Sequence, residues 1–79
     1  MSAVQTYARR LKQARLQAKA GLPMSQEELA AMLGVAKGTI SRMERGELLQ
    51  GITRYELIAD VLDRPLSWFF QDDSEEGAV

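Results

Sequence analysis

The stretch from Ser25 to Gly46, SQEELAAMLGVAKGTISRMERG, does most to narrow what this chain can become. Ser25, followed three residues later by Glu28, forms a capping box. In that arrangement the serine hydroxyl and the glutamate carboxylate each satisfy a backbone N–H that a helix start leaves unpaired. Leu29 and Leu33 then repeat at four residues, on one helical face. Gly34 follows where a left-handed residue ends a helix, a conformation that glycine adopts without a Cβ clash. Val35 anchors the turn, Ile40 and Met43 recur at three residues, and Gly46 closes the second segment. The pattern predicts two short amphipathic helices, over residues 26–33 and 37–44, joined by a tight glycine turn.

Every other periodic segment also reads as helix, and no strand alternation appears. The first helix is predicted over roughly residues 4–20, with Tyr7, Leu11, Ala14 and Ala18 inward and the basic residues outward. A break follows at Ala20-Gly21-Leu22-Pro23, and residues 47–51 form a loop. A fourth helix is predicted over about 53–62, where Tyr55, Ile58, Ala59 and Leu62 fall at i, i+3, i+4 and i+7. Pro65 suits the start of a short fifth helix over 66–70. Its Leu66 and Phe69 face the core, leaving Trp68 and Phe70 partly exposed. The expectation is one all-α, five-helix domain over residues 1–70. Residues 71–79 hold Asp72, Asp73, Glu75 and Glu76 and almost no core material, so an acidic, disordered tail is expected there.

With 79 residues the chain has room for one small core. It contains no cysteine and no histidine, so disulfides, thiolate or imidazole metal ligands and the usual catalytic base are excluded. No metal, no cofactor and no enzymatic activity are expected; the tail carboxylates have no partner base. Apolar runs are far too short to span a membrane, and Arg9, Arg10 and Lys12 interrupt any leader pattern, which points to a soluble cytoplasmic protein. The net charge of −1 conceals a polarised chain. Residues 1–20 carry +5 (Arg9, Arg10, Lys12, Arg15 and Lys19), 21–46 balance at 0, 47–64 carry −2 and 65–79 carry −4. Local potential decides phosphate attraction, so a basic first segment can still meet DNA, while overall acidity implies weak non-specific affinity.

Helix, glycine turn and helix at this spacing is the DNA-reading helix-turn-helix. The chain resembles the phage-repressor and Cro (XRE-type) family. The resemblance rests on S-Q-x-x-L-A-x-x-L-G-V from Ser25, T-I-S-R-x-E-R-G from Thr39, Ile58-Ala59-x-x-Leu62 and Leu66-x-x-Phe69, and covers roughly residues 5–70. It implies a lambda-repressor-like domain of bacterial or phage type, a symmetric homodimer on double-stranded operator DNA that regulates transcription, chiefly by repression. It further implies base contacts from the third helix, at Lys37, Gly38, Thr39, Ser41 and Arg42. Arginine and lysine can donate to guanine O6 and N7, and the threonine methyl can touch a thymine methyl. Gly38 departs from the family, which places a side chain there. Phosphate contacts are expected from Gln26 at the positive end of the second helix, and from Arg10, Arg15 and Arg54. Arg15 and Glu44 match residues that pair internally in related proteins. The loop after Gly46 lacks the family's basic clamp, having Glu47, Leu48, Leu49 and Gln50 instead. With Trp68 and Phe70, Leu48 and Leu49 are the expected dimer interface. The net acidity, the weak clamp and these apolar residues also suit another reading. In it the chain is an antitoxin-like interaction module that engages a toxin or another regulatory protein, with DNA binding secondary.

Overall fold

The computed structural model describes residues 3–47 and 50–71. Four α-helices, α1 (Ala3–Leu16), α2 (Gln26–Leu33), α3 (Lys37–Glu44) and α4 (Ile52–Val61), precede a 3-10 turn over Leu66–Phe70. No strand occurs among the described residues beyond an isolated bridge between Lys19 and Leu22. The architecture is all-helical, with one core. Leu11 of α1, Leu29 of α2, Ile40 of α3, Ile58 of α4 and Phe69 of the closing turn all lose their solvent contact there. Each helix contributes its apolar stripe, the arrangement by which short amphipathic helices gain the tertiary support they need.

The two central helices form for the local reasons their residues suggest. Ser25 is extended, its hydroxyl accepts from the Glu28 N–H at 3.0 Å, and the Glu28 carboxylate accepts from the Ser25 N–H at 3.1 Å. Gly34 ends α2 in the left-handed region (φ 71°). There the Val35 N–H returns to the Ala30 carbonyl at 3.0 Å, closing the turn that sets α3 against α2.

In three places the fold departs from the expected pattern. First, α1 stops at Leu16, not near residue 20. Residues 17–24 reverse instead: Lys19 and Leu22 exchange backbone hydrogen bonds of 3.0 Å across Ala20 and Gly21, whose φ angles of 54° and 89° are both positive. This is the geometry of a two-residue hairpin turn. The apolar period runs on because Ala18 still packs against the core, but from a turn. Second, the predicted fifth helix is a single 3-10 turn, with the Trp68 N–H on the Pro65 carbonyl at 3.0 Å. Five residues behind a proline that cannot donate leave too few bonds for an α-helix, and burial of Phe69 holds the tighter turn in place.

Third, the buried face of α1 is wider than Tyr7, Leu11 and Ala14. It also takes in Thr6, Ala8, Arg10 and Arg15, so two of the expected outward cations lie inside. The Arg10 guanidinium donates to the Gln71 carbonyl at 3.3 Å and lies 4.7 Å from the centre of the Trp68 ring. Arg64 also stacks on that ring, at 4.1 Å, and its far end donates to the Gln17 side chain at 2.7 Å. Tyr7 lies within 5.5 Å of the Phe69 ring centre and 4.5 Å of Tyr55. Its hydroxyl is buried with no partner among the described residues. Burial, with Tyr55 nearby, raises this phenol above its usual pKa.

Candidate nucleic-acid interface

Ile40 and Met43 face α3 inward, so the helical period turns Gly38 and Arg42 outward, with Lys37 and Ser41 on one flank. Lys37, Gly38 and Arg42 are exposed, whereas Thr39 and Ser41 are half-buried. A Cβ added at Gly38 would meet nothing within 4 Å, so the fold itself does not require glycine there. At the start of α3, Ala36 supplies no side-chain cap and the first turn holds no acid.

Polar side chains around this face engage one another. Lys37 lies 3.5 Å from the Glu27 carboxylate on α2, an exposed pair. Lys19, in the turn between α1 and α2, pairs with Glu28. The lysine, with the Ser25 N–H, holds the Glu28 carboxyl below its usual pKa. Arg45 donates to the Ser41 hydroxyl at 2.7 Å and to Glu47 at 2.8 Å. That pairing lowers the Glu47 pKa and raises that of Arg45. The spacing of Ser41 and Arg45, four apart on a helix, was a readable signal for their bond. The partners of Lys19 and Lys37 depend on how α2 sits beside its neighbours, and no local spacing announces them.

At the inner end of α3, Glu44 meets Arg15 of α1. The Arg15 Nε and Nη2 donate to the two carboxylate oxygens at 2.6 and 3.0 Å, and Nη1 donates to the Met24 carbonyl at 2.8 Å. The paired side chains are only 9% and 4% exposed. Gln26 joins them, its Nε2 donating to Glu44 at 3.1 Å. Three of the expected site residues therefore form one cluster at the joint of α1, α2 and α3.

Two of the residues expected at phosphates are engaged inside the fold. Arg10 is 4% exposed, held by Trp68 and Gln71; Arg15 is committed to Glu44 and Met24. Both guanidinium groups serve packing, because buried cations persist only where partners replace water. Arg54 stays half-buried on α4. Of the expected dimer residues, Leu48 and Leu49 lie outside the described residues. Trp68 is half-buried beside two guanidinium groups, and Phe70 is 42% exposed beside Tyr7 and Tyr55. Among the described residues no cluster of three or more potential metal ligands occurs, and no helix is long and apolar enough to cross a membrane.

Comparison with known proteins agrees with this geometry. Residues 7–69 match the family described as Helix-turn-helix. Over 56 residues the chain is 38% identical to an uncharacterized HTH-type transcriptional regulator of Sinorhizobium medicae (strain WSM419). It is equally similar to one of Rhizobium meliloti (strain 1021). Each match covers 71% of this chain but 40% of the relative, so the chain spans well under half the length of the curated relatives it matches.

Proposed function

Because this chain belongs to the XRE-type helix-turn-helix family, we propose that it binds operator DNA and regulates transcription, chiefly as a repressor. The outward face of α3 enters the major groove, where Lys37, Thr39, Ser41 and Arg42 read base edges and Gly38 admits a close approach of the duplex. Gln26 and Arg54 contact phosphates and set the register without reading sequence. Arg10 and Arg15 are left out of this role because the core uses them. The observation that carries the reading is the contrast across α3: Ile40, Met43 and Glu44 are fixed inward while Gly38 and Arg42 stand open.

One helix of this length offers few base contacts, so the reading includes a two-fold homodimer whose recognition helices lie about 34 Å apart, one DNA turn. Phe70, with Trp68 at its margin, is the described part of the proposed interface; Leu48 and Leu49, expected there from the sequence, lie outside the described residues. Selection of bound sites from random duplexes tests the whole reading. A two-fold symmetric consensus with half-sites one turn apart is expected. Recovery of no consensus, from protein that is folded and dimeric, would overturn it. The antitoxin-like reading has some support in the net charge of −1 and in the ion pairing of Lys37. That second reading requires a protein partner that binds with equal affinity when Arg42 is replaced by alanine.

A further inference from the structure

Two cations flank the outward face of α3, and each already has an anion. Lys37, in the first turn, lies 3.5 Å from the carboxylate of Glu27 on α2. Arg45 follows Gly38 by seven residues, about two turns, and so carries the same outward stripe to the end of the helix. Its Nε and Nη2 donate to the two carboxylate oxygens of Glu47 at 2.8 and 3.4 Å, while Nη1 donates to the Ser41 hydroxyl. All four charged side chains are exposed. Exposed pairs add little to stability, so holding the fold is a poor account of them. Between the two pairs, the Arg42 guanidinium has no hydrogen bond or ion pair among the described residues.

We propose that Glu27 and Glu47 are electrostatic brakes on DNA binding: carboxylates that stand in for phosphate oxygens until a duplex arrives. The proposal rests on the DNA-binding reading above and adds a restraint to that same face. A carboxylate and a phosphate offer lysine or arginine the same kind of charge-assisted bond. To engage the duplex, Lys37 and Arg45 must exchange one for the other, and each abandoned carboxylate takes up a counterion from solution. That uptake offsets the release of counterions from the DNA, which supplies essentially all of non-specific affinity. The paired cations therefore give little hold on an unrelated duplex. What hold remains comes from Arg42 and from contacts in the groove, so residence depends on the sequence being read.

The test measures the affinity of the full chain for an unrelated duplex, and for the duplex selected by the wild type, across a range of salt. Glu27→Gln and Glu47→Gln are each expected to tighten both complexes about twofold to fivefold at low salt for each copy bound. Each should also steepen the fall of log affinity with log salt by about 0.9 per copy. Glu56→Gln makes the same change in net charge at an exposed site on α4, and should leave the slope as it was. Lys37→Met removes one partner, and on that background Glu27→Gln should no longer steepen the slope. Thermal melts of the glutamine variants should nearly match the wild type, because the pairs are exposed. Slopes unchanged by both Glu27→Gln and Glu47→Gln would overturn the proposal. An equal gain from Glu56→Gln would overturn it too, by making net charge the whole cause. A large loss of stability in Glu27→Gln and Glu47→Gln would overturn it by making the pairs struts. A folded wild type that binds no duplex at any salt would remove the DNA-binding reading itself, whereas unchanged slopes leave that reading standing.

Discussion

The two helices of the central motif have the same length, eight residues each, and are secured in opposite ways. Helix α2 secures itself. Its start is closed by the Ser25–Glu28 box and its end by Gly34, all within the segment. Helix α3 is secured by others: its first turn has no side-chain cap, and its far end is held by Arg15 from α1 and Gln26 from α2. The difference shows where local stability has been forgone. An alanine in place of a good N-cap residue costs about 1 kcal/mol, and a glycine inside a helix costs about as much again. Both costs fall on the first turn of α3, at Ala36 and Gly38, on the side proposed to meet DNA. Tertiary contacts at the other end make up the loss.

If α3 depends on outside support, breaking that support should have the largest effect. Arg15→Ala strands the Glu44 carboxylate in a place that is 4% exposed, and a loss of about 3–5 kcal/mol is expected. Glu44→Ala strands the guanidinium with a similar loss, and the double variant should lose less than the two losses added, as thermal melts of all three will show. Simple additivity would mean that α3 does not rely on the pair.

On the open side the expectation reverses. Arg42→Ala should leave the melting temperature almost unchanged, because the residue is exposed. Its expected cost is about 1–3 kcal/mol of affinity on the cognate duplex, with relaxed preference at one base position. An unchanged selected consensus would remove Arg42 from base reading. The self-secured helix offers a smaller, purely local effect: Ser25→Ala should cost about 1 kcal/mol of stability in chemical denaturation. DNA affinity at temperatures where the protein is fully folded should stay nearly unchanged.

The smallest effect is the most discriminating. Nothing within 4 Å obstructs a Cβ at Gly38, so Gly38→Ala should stabilise the domain by about 0.5–1 kcal/mol. If the duplex approaches as closely as proposed, the same methyl group should weaken cognate binding. A variant that is more stable and binds equally well would show that the glycine was not kept for DNA.

Legibility from sequence follows the same division. The box at Ser25, the left-handed Gly34 and the stripe of Ile40 and Met43 depend on neighbours three or four residues away, so the residues themselves disclose them. The Arg15–Glu44 pairing came through family resemblance, since no periodicity joins residues on different helices. The surroundings of Trp68 were illegible for that reason: Arg10 comes from the first helix and Arg64 from the turn after α4. A left-handed Asp63 sets up that turn, bringing the Arg64 N–H to the Ala59 carbonyl at 3.0 Å. Charge counting also misled, because it treats every arginine as a source of outward field. The +5 of the first twenty residues includes Arg10 and Arg15, whose charge is spent inside. At residues 17–22 the apolar period pointed one way and Gly21 the other, and the glycine was the better guide.

The contact of α1 with the closing turn also bears on how the protein is made. Tyr7 and Leu11 emerge early from the ribosome, but the Phe69 ring that covers Tyr7, and the Gln71 carbonyl that receives Arg10, are among the last described groups to appear. Until then the early apolar stripe lacks its cover, and chaperones or neighbouring chains can reach it. The capping box and glycine turn need only nearby residues, so α2 can form and dissolve many times while synthesis continues. Closure therefore waits for a few aromatic residues near the end of the domain. A chain cut short of Phe69 would be left with its core still open, and its eight-residue helices would form only in passing.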